Sequence, residues 1–470
     1  MRTFLNILSG VLLLLLLGFT PTTYGYSPVN PVNLERSLSK LEAAILENLN
    51  RKNIPGCSVA VVYRNQIVFM RSYGVRTIGR PEAIDVDTVF QLGSVSKPIS
   101  STLVSILVSK GYLKIDDPVN KYLPSFALRS SQNPRDLKIR NLLSHTSGVP
   151  RAGFNNLIES FVPHNSLLAK LQSIPVRISF GKHYDYNNAM FGLISDITEN
   201  VTHQSFEETL FWNLLQPLHM TRTTATLEGI LSTANRASPH SKNGRGKLTP
   251  APNYSASYYA VAPAGGINST VRDMATFLKA QMGGYPQVLN QNTLARIQEP
   301  QVTAKNMLQS SGAPGLVKNP TYGLGWRIVD FAGQKLVYHG GWLKGFTNFI
   351  GFIPNEELGI VILHNADTKF SSKVAVKFFE NYMGYGDSIL KKTKKTFTKS
   401  KKINKAKATK IRAKVRAKAK GIKAKVKNKT NVNVKNNPKK KQGLIEENCI
   451  ITLLKSLNNK VKVFFTHIML

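Results

Sequence analysis

Cysteine is nearly absent from this chain. The two in 470 residues, Cys57 and Cys449, exclude a disulfide scaffold and any Cys-rich zinc module. Pairing them would close a very long loop, so both are expected to be free thiols. Acids are scarce too, with 26 Asp+Glu against 63 Lys+Arg, for a formal net charge of +37. The deficit is local: Lys391–Lys441 holds 23 Lys+Arg and no acid, whereas residues 1–390 hold 37 basic and 24 acidic residues. Past the first 25 residues no run is long and apolar enough for a membrane helix. There is no repeat of 20–50 residues, so a solenoid is excluded. Against these absences, 42% hydrophobic and 9% aromatic residues rule out a wholly disordered chain and support a sizeable core. At roughly 100–200 residues per domain, the length allows two or three domains, or one large domain with appendages.

The N-terminus reads as a targeting segment. Met1-Arg2 supplies a short positive region, Leu5 to Phe19 is apolar around Val11–Leu17, and Pro21 breaks the helix. Thr23 and Gly25 are the small residues before a cut at Tyr26. This is the pattern of a secretory signal over residues 1–25, which predicts export to the periplasm, the cell envelope or the medium. The alternative is an uncleaved anchor, but spanning a bilayer takes roughly 18–20 apolar residues, slightly more than this run provides. No transmembrane helix is expected once the signal is removed.

Periodicity organises the rest. Leu34, Leu38, Leu41, Ala44, Ile45 and Leu49 form a helical stripe over Leu34–Asn50. Cys57–Tyr63 and Ile67–Ser72 are β-rich and flank Arg64-Asn65-Gln66, a hairpin. A long helical and loop-rich middle follows. Lys335–His339, Thr347–Ile353 and Leu358–His364 then read as strands, and Phe370–Tyr382 as a helix. Strands near both ends with helices between predict an α+β domain over residues 26–387. Its antiparallel sheet is built from both chain ends and flanked by helices, with an inserted mainly helical region. Near Asp387 the composition changes abruptly, into a Lys-rich tail (388–442) and an apolar extension (443–470) whose role the sequence leaves open.

Three short motifs carry chemistry. Ser94-Val95-Ser96-Lys97 follows Phe90-Gln91-Leu92-Gly93 and opens an apolar helix. At i and i+3 the hydroxyl and the amine share one helix face, and a desolvated Lys97 can lose its proton and help activate Ser94. The spacing recurs at Ser37/Lys40, Ser179/Lys182 and Ser388/Lys391, so the position after a Gly turn singles out Ser94. Tyr186-Asn187-Asn188 places a phenol two residues from a carboxamide, one group able to shuttle a proton and one able to hold an amide. His339-Gly340-Gly341 ends a strand with glycines that let another backbone approach.

Together, in this order, the motifs resemble the serine β-lactamase and penicillin-binding family. The resemblance is nearest to class C β-lactamases, D-Ala-D-Ala carboxypeptidases, D-aminopeptidases and related esterases, and it runs from about Leu34 to Tyr385. Ile139–Gly148, Pro263–Thr270 and Tyr322-Gly323-Leu324-Gly325-Trp326 look like the family's connecting segments. The resemblance implies a serine hydrolase forming an acyl-enzyme on Ser94, with Lys97 and Tyr186 sharing the proton traffic. It implies that Asn188 holds a substrate amide, and that His339 biases Tyr186 and helps place a substrate carboxylate beside Gly341. The backbone N–H groups of Ser94 and Trp342 would form the oxyanion hole. No metal or other cofactor is implied. The substrate would be a β-lactam, a D-amino-acid peptide or an ester. His-Gly-Gly replaces the Lys-Thr-Gly of class A and class C enzymes, which weakens a dedicated β-lactamase reading. Bulky Trp342 is expected to narrow the pocket. His145, in Ser144-His145-Thr146-Ser147, reads as structural.

Two other readings stand beside the enzyme. One is a catalytically inactive relative serving as a scaffold or binding protein. The other is a polyanion-binding protein acting through its basic tail, which is expected to be disordered in isolation. After export, an anionic envelope surface is the expected partner of the tail, and nucleic acid is disfavoured.

Overall fold

In the computed structural model the described residues are 31–385, apart from 52–53, 127, 131, 174, 177, 306–307 and 309–314. The signal, the Lys-rich tail and the apolar extension lie outside them. The predicted first helix is α1 (Pro31–Asn50), with Leu41 and Ile45 of its apolar stripe buried. The hairpin is β1 (Gly56–Tyr63) and β2 (Gln66–Gly74). Arg64 and Asn65, both at positive φ (47° and 60°), make its two-residue turn, the twist that suits adjacent antiparallel strands. Later strands are β3 (Val302–Thr303), β4 (Val317–Tyr322), β5 (Arg327–Phe331), β6 (Gln334–Leu343), β7 (Phe346–Ile353) and β8 (Leu358–His364). All eight form one antiparallel sheet in the order β2-β1-β8-β7-β6-β5-β4-β3. β1 lies beside β8, in register from Cys57↔His364 to Tyr63↔Leu358, so both chain ends do build the sheet.

Successive residues of a strand face opposite sides, and both sides of this sheet are covered. Val59 and Val61 of β1, with Ile360 and Ile362 of β8, face α1 and the last helix, α5 (Phe370–Tyr382). Ala60, Val62, Val361 and Leu363 belong to the larger core on the opposite face. There α4 (Val271–Gln281) packs on β1 and β8. The same core encloses α2 (Ser96–Ser109), whose Ile99, Leu103, Val104 and Leu107 are fully buried. Double burial explains why these strands read as unbroken apolar runs rather than alternating ones. Cys57 is a buried free thiol. Among the described residues no helix is long and apolar enough to cross a membrane.

The structure adds three strands that the sequence reading did not name, β3, β4 and β5, and it moves one strand end. The strand expected to stop at His339 continues to Leu343, because Gly340 and Gly341 stay in the ladder opposite Phe349 and Asn348. Glycine weakens a strand without ending it when a partner strand is there to pair.

Phe379 of α5 is fully buried and meets Phe331 edge-on, with ring centroids 6.3 Å apart. Replacing it with alanine removes a buried aromatic worth about 3–5 kcal/mol. Phe379→Ala is therefore expected to lower the thermal midpoint, followed by circular dichroism, by about 5–15 °C. A fall under about 2 °C would place α5 outside the cooperative core.

Candidate active site

Ser94 stands in a single 3-10 turn, Gly93–Val95, directly before α2. Three neighbours fix the turn. Phe90–Gln91 pairs with Asn268–Ser269, and the Leu92 N–H donates to Ile267 O at 2.9 Å. From β7, Asn348 Nδ2 donates to the carbonyls of Gln91 and Leu92, at 2.9 and 3.1 Å. β6 presses on the third side. Gly93 has φ +57°, and a Cβ there would lie 2.9–3.1 Å from the Trp342 backbone. A Cβ on Gly341 would collide with the Leu92 carbonyl oxygen. Glycine at both positions lets strand and turn touch backbone to backbone, setting Trp342 against the residue that precedes Ser94.

Lys97, at the start of α2, is fully buried. Its Nζ donates to Asn188 Oδ1 and to Ala264 O, both at 2.7 Å. Burial drives the ammonium well below the ordinary lysine range, and the Arg327 cation pushes the same way. Two acceptors are what a neutral amine needs, since its two N–H bonds are used and its lone pair is left over. Nζ also lies 4.6 Å from the centre of the Tyr186 ring.

Tyr186 and Asn188 flank the N-cap of α3 (Asn188–Gly192). Asn187 Oδ1 accepts from the Met190 N–H at 3.0 Å, while its Nδ2 donates to Pro150 O and Gly153 O. Held there, Tyr186 donates its hydroxyl to Ser94 Oγ at 2.8 Å. Burial pushes the phenol upward, and the Ser94 hydrogen bond and Arg327 pull it back. Asn188, assigned to a substrate amide by the resemblance, here has both ends of its own amide engaged: Oδ1 on Lys97 and Nδ2 on Asn155 Oδ1 at 3.1 Å.

His339 is buried on β6, its ring centre 6.4 Å from that of Tyr186. Nδ1 faces Gly340 O at 2.9 Å and Nε2 faces the Tyr322 hydroxyl at 3.0 Å. A carbonyl only accepts, so Nδ1 carries the proton and Nε2 takes the one from Tyr322. Burial, then Arg327, holds this ring neutral. Trp342 is 52% exposed, with its indole N–H donated to Asp367.

Three neighbours had no place in the site as read from sequence. Tyr322 is fully buried against His339. His145 accepts from the Asn187 N–H at Nδ1, and its ring lies 4.2 Å from the Tyr186 ring, centre to centre. That fits the structural role read for it, although its Nε2 is buried without a partner. Arg327 is buried, with its guanidinium carbon 5.6 Å from the centre of the Tyr186 ring and 5.4 Å from that of Tyr322. The available signal was an arginine opening the apolar strand Arg327–Phe331, directly after Tyr322–Trp326. Among the described residues no group of three or more His, Cys, Asp or Glu could hold a metal ion.

This geometry suits nucleophilic acyl transfer, and the comparisons agree on the family. The family model for beta-lactamase matches residues 38–377. The chain belongs to the beta-lactamase family. It is similar to Protein flp of Staphylococcus aureus, with 24% identity over 351 residues. It is also similar to the unguisins hydrolase ungD' of Aspergillus campestris, with 26% identity over 348 residues. These matches take in 72% and 70% of this chain, and 65% and 62% of the relatives' own lengths. The octameric penicillin-binding protein homologue from Pyrococcus abyssi shares the fold, with TM-score 0.66 and 24% identity, over 74% of this chain and 78% of that one.

The two glycines of the third motif are predicted to behave differently. A Cβ on Gly340 has only Asn348 O near it, at 3.9 Å, whereas one on Gly341 strikes the Leu92 carbonyl. Gly340→Ala should leave the thermal midpoint nearly unchanged. Gly341→Ala should destabilise by about 1–3 kcal/mol, seen as a clear fall in the same scan. Equal midpoints would mean that strand and turn are not in the contact described.

Proposed function

We propose that this beta-lactamase family member is an exported serine hydrolase that forms an acyl-enzyme on Ser94 with β-lactam, D-amino-acid peptide or ester substrates. The observation that carries the reading is the Tyr186 hydrogen bond to Ser94 Oγ, set beside a buried Lys97 whose surroundings favour the neutral amine. In the first step Ser94 Oγ attacks the substrate carbonyl and its proton passes to the Tyr186–Lys97 pair, which returns it to the leaving group. The backbone N–H groups of Ser94 and Trp342 receive the developing oxyanion, donors worth about 2.7–4 kcal/mol each in acyl transfer. Water then repeats the cycle on the acyl-enzyme. β5 pairs with β6 only as far as Tyr338, and residues 339–343 run on past it, an edge suited to an extended substrate backbone. His-Gly-Gly in place of Lys-Thr-Gly favours peptidase or esterase action over a dedicated β-lactamase. Export rests on the signal-like residues 1–25.

Intact-protein mass spectrometry with benzylpenicillin, on wild type and Ser94→Ala, tests the reading. A lasting adduct on wild type alone is expected, since slow deacylation is what a peptidase-like site shows. Hydrolysed drug without an adduct would indicate a β-lactamase. With neither, and no turnover of p-nitrophenyl esters, the catalytic assignment fails in favour of a binding or scaffold protein.

The Lys-rich tail is proposed to hold the protein on an anionic envelope surface. Removing residues 388–470 should leave activity on a small substrate intact and abolish salt-sensitive retention on anionic vesicles. Activity lost with the tail would mean that the domain extends beyond Asp387.

A further inference from the structure

We propose that Arg327 is a positioning residue for acyl transfer, supplying from β5 the fixed cation that His339-Gly340-Gly341 does not bring to the third motif. The proposal rests on the reading of Ser94 as the nucleophile.

Arg327 is the first residue of β5, in register with Tyr322 of β4 on one side and Tyr338 of β6 on the other. That position turns a surface residue type inward, where it is 9% exposed. A buried guanidinium ordinarily has a carboxylate partner, and among the described residues no ion pair involves Arg327. Its neighbours are aromatic instead. The faces of Tyr186 and Tyr322 offer cation–π stabilisation, which gains strength when the cation is out of water. The guanidinium does not deprotonate in this setting: burial works against its charge, and the surrounding tyrosines together outweigh it.

A permanent charge fixed here acts on every titratable group of the site. From α2, Lys97 feels it as repulsion, second only to burial. His339, on β6, feels the same, and His145, from the loop behind Tyr186, feels it after burial and Lys97. Tyr184 and Tyr186, from the segment before α3, are drawn toward the phenolate by it, as is Tyr322 of β4. The acid Asp185 pushes Tyr184 the other way. Arg327 thus favours the proton-free form of both candidate bases, the Lys97 amine and the Tyr186 phenol. Which of the two takes the Ser94 proton does not alter the sign: without the guanidinium, each holds its own proton to higher pH.

The test compares full-length wild type, Ser94→Ala, Arg327→Gln and Arg327→Lys. The readout is kcat/KM from pH 5 to 10 with a neutral ester, p-nitrophenyl butyrate, alongside the rate of adduct formation by benzylpenicillin, a carboxylate. Arg327→Gln should move the acid limb of both profiles up by about one pH unit or more, a roughly tenfold loss on the limb that recovers toward wild type at high pH. Arg327→Lys, which keeps the charge, should restore most of the limb. Superimposable limbs for wild type and a folded Arg327→Gln would overturn the proposal. So would a loss that is uniform in pH, or one confined to KM for the carboxylate compound, the mark of a substrate clamp. Should the glutamine variant not fold, Arg327→Met keeps the aliphatic stem against Tyr186 and carries the same comparison. Activity surviving in Ser94→Ala is a separate failure, that of the nucleophile assignment.

Discussion

One amine taken out of water governs this site. Burying Lys97 as a cation would be costly, so burial, helped by Arg327, holds its pKa well below the ordinary lysine range. The fold meets that cost by giving the amine two acceptors and, among the described residues, no carboxylate partner. Each acceptor comes from a different part of the chain: Asn188 from the N-terminus of α3, Ala264 from the glycine-containing turn at Pro263–Thr270. That turn is bound in its own right to the residues around Ser94, through Leu92 and through Ser96, whose Oγ accepts the Ile267 N–H at 3.0 Å. Ser94, Lys97 and Asn188 therefore belong to one packed unit, and moving any segment leaves a buried polar atom without its partner.

The sheet makes that unit possible. β1 and β8 are paired although about 300 residues separate Cys57 from His364, so the helical region between them is held at both ends. β6 and β7 then bring two devices to the turn, the bare backbone at Gly341 and the Asn348 amide on the carbonyls before Ser94. Pairing over such sequence distances is slow to form, because loop closure precedes the contacts that reward it.

How much of this could be read in advance depended on whether the cue was local. The stripe Leu34–Leu49, the hairpin around Arg64-Asn65-Gln66 and the five strands read in advance declare themselves by spacing; Gln66 opens the second strand rather than closing the turn. The Ser94, Tyr186 and His339 motifs were legible because each pairs a reactive group with a local backbone device. Gly340-Gly341 misled, because a strand end and a close approach use the same residue. The hydrogen bonds of Asn188 were hidden, since Asn155 lies far upstream and only packing shows that the amide meets Lys97. The place of Arg327 and Tyr322 beside His339 and Tyr186 was hidden for a related reason. Their meaning depends on the register of β4, β5 and β6, which no single segment encodes.

Register also accounts for the charge arrangement. Lys97, Arg327, His145 and His339 crowd one site, and among the described residues no carboxylate hydrogen-bonds to any of them. Four such bases cannot all hold a proton at this proximity. The guanidinium, with the highest intrinsic affinity, keeps its charge while burial and repulsion strip the other three. The neutral forms then fix the hydrogen-bond directions: Nδ1 of His339 donates to Gly340, and Tyr322 donates to Nε2. His145, with Nε2 left unpartnered at a cost of about 1–3 kcal/mol, packs its ring at a tilt against Tyr186. That contact packs His145 against the phenol ring whose hydroxyl donates to Ser94 Oγ.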